Sequence, residues 1–138
     1  MTSGGSTDPA TWIDAARRDV RAARRLLVDP PELETTAYHV HQAVEKAIKA
    51  FLVAAGIRYP RGRGAGHDLD MLASLVPAGD PLRTSALLMS DLTPWATAFR
   101  YPADDPLTAE PLPPKDEIER RLDAAEAFIA AVARRVAR

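Results

Sequence analysis

The chain contains no cysteine and only three histidines in its 138 residues. Without cysteine it forms no disulfide, offers no thiolate to a metal and has no cysteine nucleophile. Structural zinc sites need four ligands, mostly cysteine or histidine, so three histidines do not predict one. His41 and Glu45 lie four residues apart and would share a helical face, but two ligands do not complete a site. We therefore expect no metal and no cofactor.

Long apolar runs and an excess of one charge are absent as well. No apolar stretch approaches the roughly 20 residues that a membrane-spanning helix needs. Residues 1–8 are small and polar and contain no apolar run, so we expect them not to be a signal peptide. These absences predict a cytoplasmic protein without a membrane segment. The net charge of −1 at pH 7 argues against a uniformly basic nucleic-acid-binding protein, although a local basic patch is compatible with it.

The sequence shows no two-residue alternation of apolar and polar residues, the pattern that indicates strands. Apolar residues recur instead at steps of three and four, as in amphipathic helices. Asp8-Pro9 and Asp80-Pro81 each place a capping aspartate before a proline at the first helical position. Gly56 suits a C-terminal cap. The predicted helices cover about 9–28, 32–55, 68–76, 80–99 and 115–136.

These helices predict an all-α fold, an antiparallel up-and-down bundle of four main helices plus one short helix. One domain should occupy residues 9–138, after a disordered N-terminus at residues 1–8. The fourth helix includes Pro94, so we expect a kink there or a split at Thr93. Five prolines between residues 101 and 114 predict an extended or irregular segment before the last helix.

The second predicted helix carries two different stripes. Its apolar stripe consists of Ala37, Val40, Val44, Ala47, Ile48, Phe51, Leu52 and Ala55. A polar stripe of Tyr38, Gln42, Glu45 and Lys49 follows the same helical steps. These polar residues either bind a ligand or form a network that fixes helix packing or dimer register. As an exposed pair, Glu45 and Lys49 would contribute only about 0.3–0.5 kcal/mol.

Three motifs occur in a fixed order along the chain. They are Tyr38–Gln42–Glu45-Lys46–Lys49, then His67-Asp68-Leu69, then Arg100-Tyr101-Pro102. In this order and spacing, residues 9–137 resemble the HEPN domain family, named for its presence in higher eukaryotes and prokaryotes. The resemblance implies a helical bundle that is usually a symmetric dimer. Many bacterial members are encoded beside a small nucleotidyltransferase, the partner that the resemblance implies, and form toxin–antitoxin or related defence modules.

Toxic members of the family are metal-independent ribonucleases. Their active site pairs an arginine with a histidine four to six residues later, in a cleft between the two dimer copies. Arg100 stands at the arginine position, but no histidine follows it. Asp104, Asp105 or His67 could replace the missing base, although an aspartate with its ordinary pKa near 4 is a weaker base at neutral pH than histidine. His67 has a structural alternative, a hydrogen bond across to the second helix or a helix cap.

Basic residues cluster on the first helix and in the loop after the second. They are Arg17, Arg18, Arg21, Arg24 and Arg25 on the helix, and Arg58, Arg61 and Arg63 in the loop. They could form an anion-binding surface for nucleic acid or nucleotide. Few aromatic residues accompany them, which favours a merely solvated face. The glycines of the loop lack the lysine and serine or threonine that complete a phosphate-binding loop.

Three hypotheses about function follow from the sequence and the resemblance. The first is a module that binds nucleotide, RNA or a partner protein. Its candidate ligand contacts are Tyr38, Gln42, Glu45, Lys46, Lys49, Arg58, Arg61, Arg63 and Tyr101. The second is a degenerate ribonuclease that uses Arg100 at a dimer cleft, and the third is a purely structural dimerisation protein. The missing histidine favours a protein that is not an enzyme.

Overall fold

The computed structural model describes residues 7–60, 68–99, 107 and 110–137. Within that part the chain forms five α-helices and one 3₁₀ helix, without any strand. The α-helices are α1 (Pro9–Leu26), α2 (Leu33–Ala54), α3 (Leu69–Ser74), α4 (Pro81–Leu88) and α5 (Lys115–Val136), and the 3₁₀ helix is Ser90–Ala96. The all-α prediction is confirmed.

The long helices alternate in direction. Trp12, near the start of α1, lies against Lys49 near the end of α2, so α1 and α2 are antiparallel. Phe51 and Arg135, each near the end of its helix, are also in contact, so α2 and α5 run in the same direction. Asp80, just before α4, pairs with Arg135 near the end of α5, so α4 runs opposite to α5. With the 3₁₀ helix, α4 forms the third, interrupted limb of the bundle, and the short α3 packs beside both.

Helix α2 lies at the centre of the bundle and is enclosed by the other limbs. Its large apolar residues Val40, Val44, Ile48 and Leu52 are fully buried. Leu69 of α3, Leu92 of the 3₁₀ helix and Ile118, Leu122 and Ile129 of α5 are also fully buried in the same core. Since neighbours pack around α2 on several sides, three of the four residues of its polar stripe are buried as well, and only Tyr38 is partly exposed.

The predicted helix caps are confirmed. The side chain of Asp8 accepts a hydrogen bond from the Ala10 amide at 3.0 Å, and Asp80 accepts one from Leu82 at 2.9 Å. Gly56 has a φ of +71°, a left-handed conformation that glycine adopts without strain. Its amide donates to the Val53 carbonyl and that of Ile57 to Leu52, which together end α2 in a Schellman motif.

The prediction of one long fourth helix ending at Phe99 is wrong, because α4 stops at Leu88 and a 3₁₀ helix follows. The sequence predicts a break near Pro94, but the break falls earlier. Pro94 has no amide hydrogen to donate to the carbonyl four residues before it, that of Ser90. The hydroxyl of Thr93 donates to that carbonyl instead at 2.8 Å, and it accepts from the Leu69 amide at 3.1 Å. The proline therefore changes the helix one turn upstream of its own position.

Asp80 has a second role besides capping α4. Arg135 of α5 donates to both of its carboxylate oxygens, at 3.0 and 2.5 Å. These hydrogen bonds, with a smaller contribution from the Leu82 amide, hold the pKa of Asp80 below its ordinary value. Asp80 thereby ties the start of α4 to the end of α5.

The pairing of Asp80 should make stability depend on pH in acid. Because the folded-state pKa is lowered, the carboxylate stabilises the fold above the ordinary aspartate range, and this contribution is lost as the pH falls through the folded-state pKa. Asp80→Asn keeps a capping side chain but loses the charge. We expect wild type to be more stable than this variant at neutral pH, with the difference vanishing in strong acid. Urea unfolding of both proteins across the pH range measures this difference in stability. A difference that stays constant with pH would contradict the prediction.

Candidate functional site

The structure describes six of the residues predicted to form a site. These are Tyr38, Gln42, Glu45, Lys46, Lys49 and Arg58. The other seven, Arg61, Arg63, His67, Arg100, Tyr101, Asp104 and Asp105, lie outside the described residues. The catalytic candidates are all in the second group, so their roles stay predictions.

A buried polar cluster, consisting of His41, Gln42, Glu45 and Lys49, lies on α2. Lys49 Nζ donates to Glu45 Oε2 at 2.8 Å, and both residues are buried, at 8% and 3% exposure. His41 Nδ1 lies 3.0 Å from Gln42 Oε1 and 3.9 Å from Glu45 Oε1. Because both charges have lost water, removing one partner of this buried pair should cost more stability than removing one partner of the exposed pair that the sequence suggested.

Two aromatic rings enclose the ammonium group of Lys49. Nζ lies 5.4 Å from the centre of the Trp12 ring on α1 and 5.3 Å from that of Tyr59, which follows α2. Both distances allow cation–π attraction. Lys49 therefore joins α1, α2 and the segment after α2. This contact also places Arg58, which is exposed, beside the anchored Tyr59.

A second polar group, the Asp19 cluster, consists of Asp19, His39 and Lys46 and joins α1 to α2. Asp19 is 7% exposed, and each of its two carboxylate oxygens has a partner. Oδ1 lies 2.7 Å from His39 Nδ1, and Oδ2 accepts from Lys46 Nζ at 2.7 Å. The rings of Tyr38 and His39 are in T-shaped contact, with centres 5.4 Å apart and planes at 70°.

The sequence pattern indicated Lys46 and Tyr38 but not Asp19 or the role of His39. Two signals were available. Asp19 falls on the same helical face as Trp12, seven residues earlier, beside the apolar positions of α1. His39 and Lys46 are also seven residues apart, so their side chains share one face of α2 two turns apart. The pairing of Asp19 with His39 and Lys46 can be recognised only when the packing of α1 against α2 is known.

The outer face of α1 is basic. Arg24 donates to Asp123 at 2.8 Å and to Glu126 at 2.6 Å, and these two carboxylates raise its pKa above the ordinary value. The exposed side chains of Arg17, Arg18, Arg21 and Arg25 have no such partner within the described residues. We call these four arginines the α1 basic face.

A shallow groove separates α1 from α5 along this face. One part has a volume of about 300 Å³ and is lined by Arg17, Arg21, Val20 and Ile129, among others. A second part of about 290 Å³ continues toward the start of α1 and shares Arg17. The lining also includes the carboxylates of Glu126, Asp8 and Asp14, so the groove carries charges of both signs beside its apolar residues.

Two properties of the described chain bear on other functions. In the ranges that the structure covers, no three histidine, cysteine, aspartate or glutamate residues are grouped closely enough to hold a metal ion. Among the described helices, none combines the length and the hydropathy that crossing a lipid bilayer requires.

Comparison with known proteins identifies the fold. The HEPN domain model matches residues 10–136. Two crystal structures are similar: ST0689, an archaeal HEPN homologue, with 21% identity, a TM-score of 0.66 and coverage of 94% of this chain and 98% of that chain, and TT1696 from Thermus thermophilus, with 25% identity, a TM-score of 0.64 and coverage of 91% and 96%. No curated protein matches. Since the family match extends from the first turn of α1 to the last residue of α5, this chain belongs to the HEPN domain family.

Proposed function

We propose that this HEPN domain is a binding module that takes RNA, or a nucleotide, on the α1 basic face. In this proposal the protein is cytoplasmic and acts as a homodimer. It works within a toxin–antitoxin-like or defence system, with a small nucleotidyltransferase as its partner. The choice of an anionic ligand is supported by the charge distribution on α1.

Among the described residues, arginines without a partner are concentrated on α1. Every described lysine forms an ion pair with a carboxylate. Arg24, Arg120, Arg121 and Arg135 also pair with carboxylates, and Arg83 donates to the Val76 carbonyl. Among the described arginines only Arg58 and Arg134 join the four of α1 in lacking a partner. A nearly neutral protein therefore displays a local excess of positive charge.

Such a surface suits phosphate groups. A guanidinium presents several donors in a planar fork that matches phosphate oxygens, and it stays charged at all physiological pH values. The only aromatic residue of α1, Trp12, is partly buried against Lys49, so it is not presented for base stacking. We therefore expect binding governed by the phosphate backbone, with little preference for base sequence.

Arg17→Gln combined with Arg21→Gln tests this proposal. Losing two phosphate contacts should weaken binding of single-stranded RNA by about tenfold at low salt, and should reduce the slope of log K against log salt by about 1.4. Filter binding or fluorescence anisotropy across a salt series measures both quantities.

The matched control is Arg120→Gln combined with Arg134→Gln, which makes the same charge change on α5. It should leave RNA affinity close to the wild-type value. Equal losses in the two double variants, or no RNA binding by wild type, would contradict the proposal. RNA cleavage that disappears in Arg100→Ala would favour the ribonuclease alternative, whose residues lie outside the described part of the chain.

A further inference from the structure

The Asp19 cluster contains hydrogen-bonding groups that the packing of α1 on α2 does not use. Asp19 is almost buried and holds one cationic or protonatable side chain on each oxygen. The side chains of His39 and Lys46, in contrast, are 26% and 25% exposed. The cluster therefore has an inner, structural end at Asp19 and an outer end that reaches solvent.

The imidazole of His39 is fixed with one nitrogen inward. Nδ1 is occupied by Asp19 at 2.7 Å, and the ring edge contact with Tyr38 restricts rotation. No residue in the described ranges forms a hydrogen bond with the other nitrogen, Nε2. A carboxylate that binds Nδ1 sets the tautomer and the orientation of the ring. Nε2 is thus the nitrogen available to a ligand.

Lys46 also keeps unused donors. An ammonium group has three N–H bonds, and the described structure uses one of them, toward Asp19 at 2.7 Å. His39 and Lys46 are two helical turns apart but converge on the same carboxylate. The two side chains therefore meet at one carboxylate, and both reach solvent between α1 and α2.

We propose that His39 and Lys46, held by Asp19, bind a terminal phosphate group, as carried by a nucleotide or by an RNA end. The choice of ligand rests on the proposed function, and the site itself rests on the cluster. Lys46 would donate to one phosphate oxygen and His39 Nε2 would form a hydrogen bond with another. Arg18, the residue next to Asp19 on α1, lies on the exposed side of the same helix and supplies further positive charge.

A terminal phosphate fits this site better than the internal phosphodiesters of a strand. Asp19 neutralises one positive charge, so the site lacks the large charge excess that would hold any anion. An imidazole nitrogen can donate or accept a hydrogen bond. A phosphate monoester occurs with and without a proton near neutral pH, so it can complement Nε2 in either role. A phosphodiester has no such proton to share.

The test compares ligands that differ in one phosphate, using the full-length protein. Calorimetry with inorganic phosphate and adenosine 5′-monophosphate measures the nucleotide source. Anisotropy with one RNA sequence bearing either a 5′-phosphate or a 5′-hydroxyl measures the RNA-end source. We expect at least one 5′-phosphate ligand to bind about tenfold more tightly than its hydroxyl counterpart, with adenosine as the counterpart of the monophosphate.

His39→Asn separates binding from packing, because asparagine can still donate to Asp19 but has no group at the Nε2 position. This variant and Lys46→Gln should each remove most of the preference for the 5′-phosphate. Unfolding of His39→Asn should stay close to wild type. Lys115→Gln, at an exposed pair with Asp29, is the matched control and should keep the preference.

The outcomes separate this inference from the proposed function. RNA binding that depends on Arg17 and Arg21 but ignores the 5′-phosphate would overturn only the inference. A 5′-phosphate preference lost in His39→Asn, without any effect of the α1 arginines, would support the inference while the proposed function fails. Equal binding of phosphate and hydroxyl ligands by wild type, or a preference that His39→Asn retains, would overturn the site.

Discussion

Glu45→Ala should lower the free energy of unfolding by about 3 kcal/mol, because it leaves a buried ammonium group without its carboxylate. The side chain of Lys49 is only 11% exposed, and its hydrogen bond to Glu45 is 2.8 Å long. The rings of Trp12 and Tyr59 attract the cation but do not replace a charged acceptor. Urea unfolding followed by circular dichroism measures the change.

Two controls define the cause of that loss. Arg120→Ala disrupts an ion pair of the same four-residue spacing with Asp116, but an exposed one, and should change stability by less than about 0.5 kcal/mol. Glu45→Leu combined with Lys49→Met removes both charges and should recover most of the stability lost in Glu45→Ala. A loss in Glu45→Ala no larger than that in Arg120→Ala would show that the buried pair does not stabilise the fold.

Ile48→Ala should destabilise the protein by about 3–4 kcal/mol, since it deletes three carbon atoms at the centre of the bundle. Ile48 is fully buried on α2, where the core has contributions from every limb. The cavity can close only if several helices shift together, so little relaxation is expected. Equilibrium urea unfolding, fitted with a common slope for the two proteins, measures the difference.

Leu88→Ala is the matched control for the core substitution. Leu88 also lies on an α-helix and also loses three carbon atoms, but it is 72% exposed. Its replacement should change stability by less than about 0.5 kcal/mol. Similar effects of the two substitutions would mean that α2 is not the centre of the folded core.

The ends of the helices follow from local chemistry, and the sequence predicts most of them well. The predicted bounds of α5, 115–136, are those observed, because proline precedes the helix and its apolar face repeats regularly. Asp8, Asp80 and Gly56 act as caps because each bonds or bends within a few residues of its own position. The end of α4 at Leu88 was not predicted from local sequence. The segment that follows it depends on the hydroxyl of Thr93, which bonds to the nearby Ser90 carbonyl and to the distant Leu69 amide.

The candidate site was predictable only in part. The spacing of Tyr38, Gln42, Glu45 and Lys49 correctly placed polar side chains on one stripe of a helix. It did not reveal that Gln42, Glu45 and Lys49 are buried. A stripe is a property of one helix, whereas burial depends on which elements cover that helix.

By itself the sequence determined the fold class, the helix caps and the family, since these depend on residue types and on periodicities within short segments. The tertiary structure alone decided which charges are paired. Asp19 meets His39 and Lys46 only because α1 packs antiparallel to α2, and Arg24 meets Asp123 and Glu126 only because α5 lies beside α1. The same packing left four arginines of α1 without partners among the described residues. Pairing between distant residues depends on distances in space, which a linear pattern does not contain.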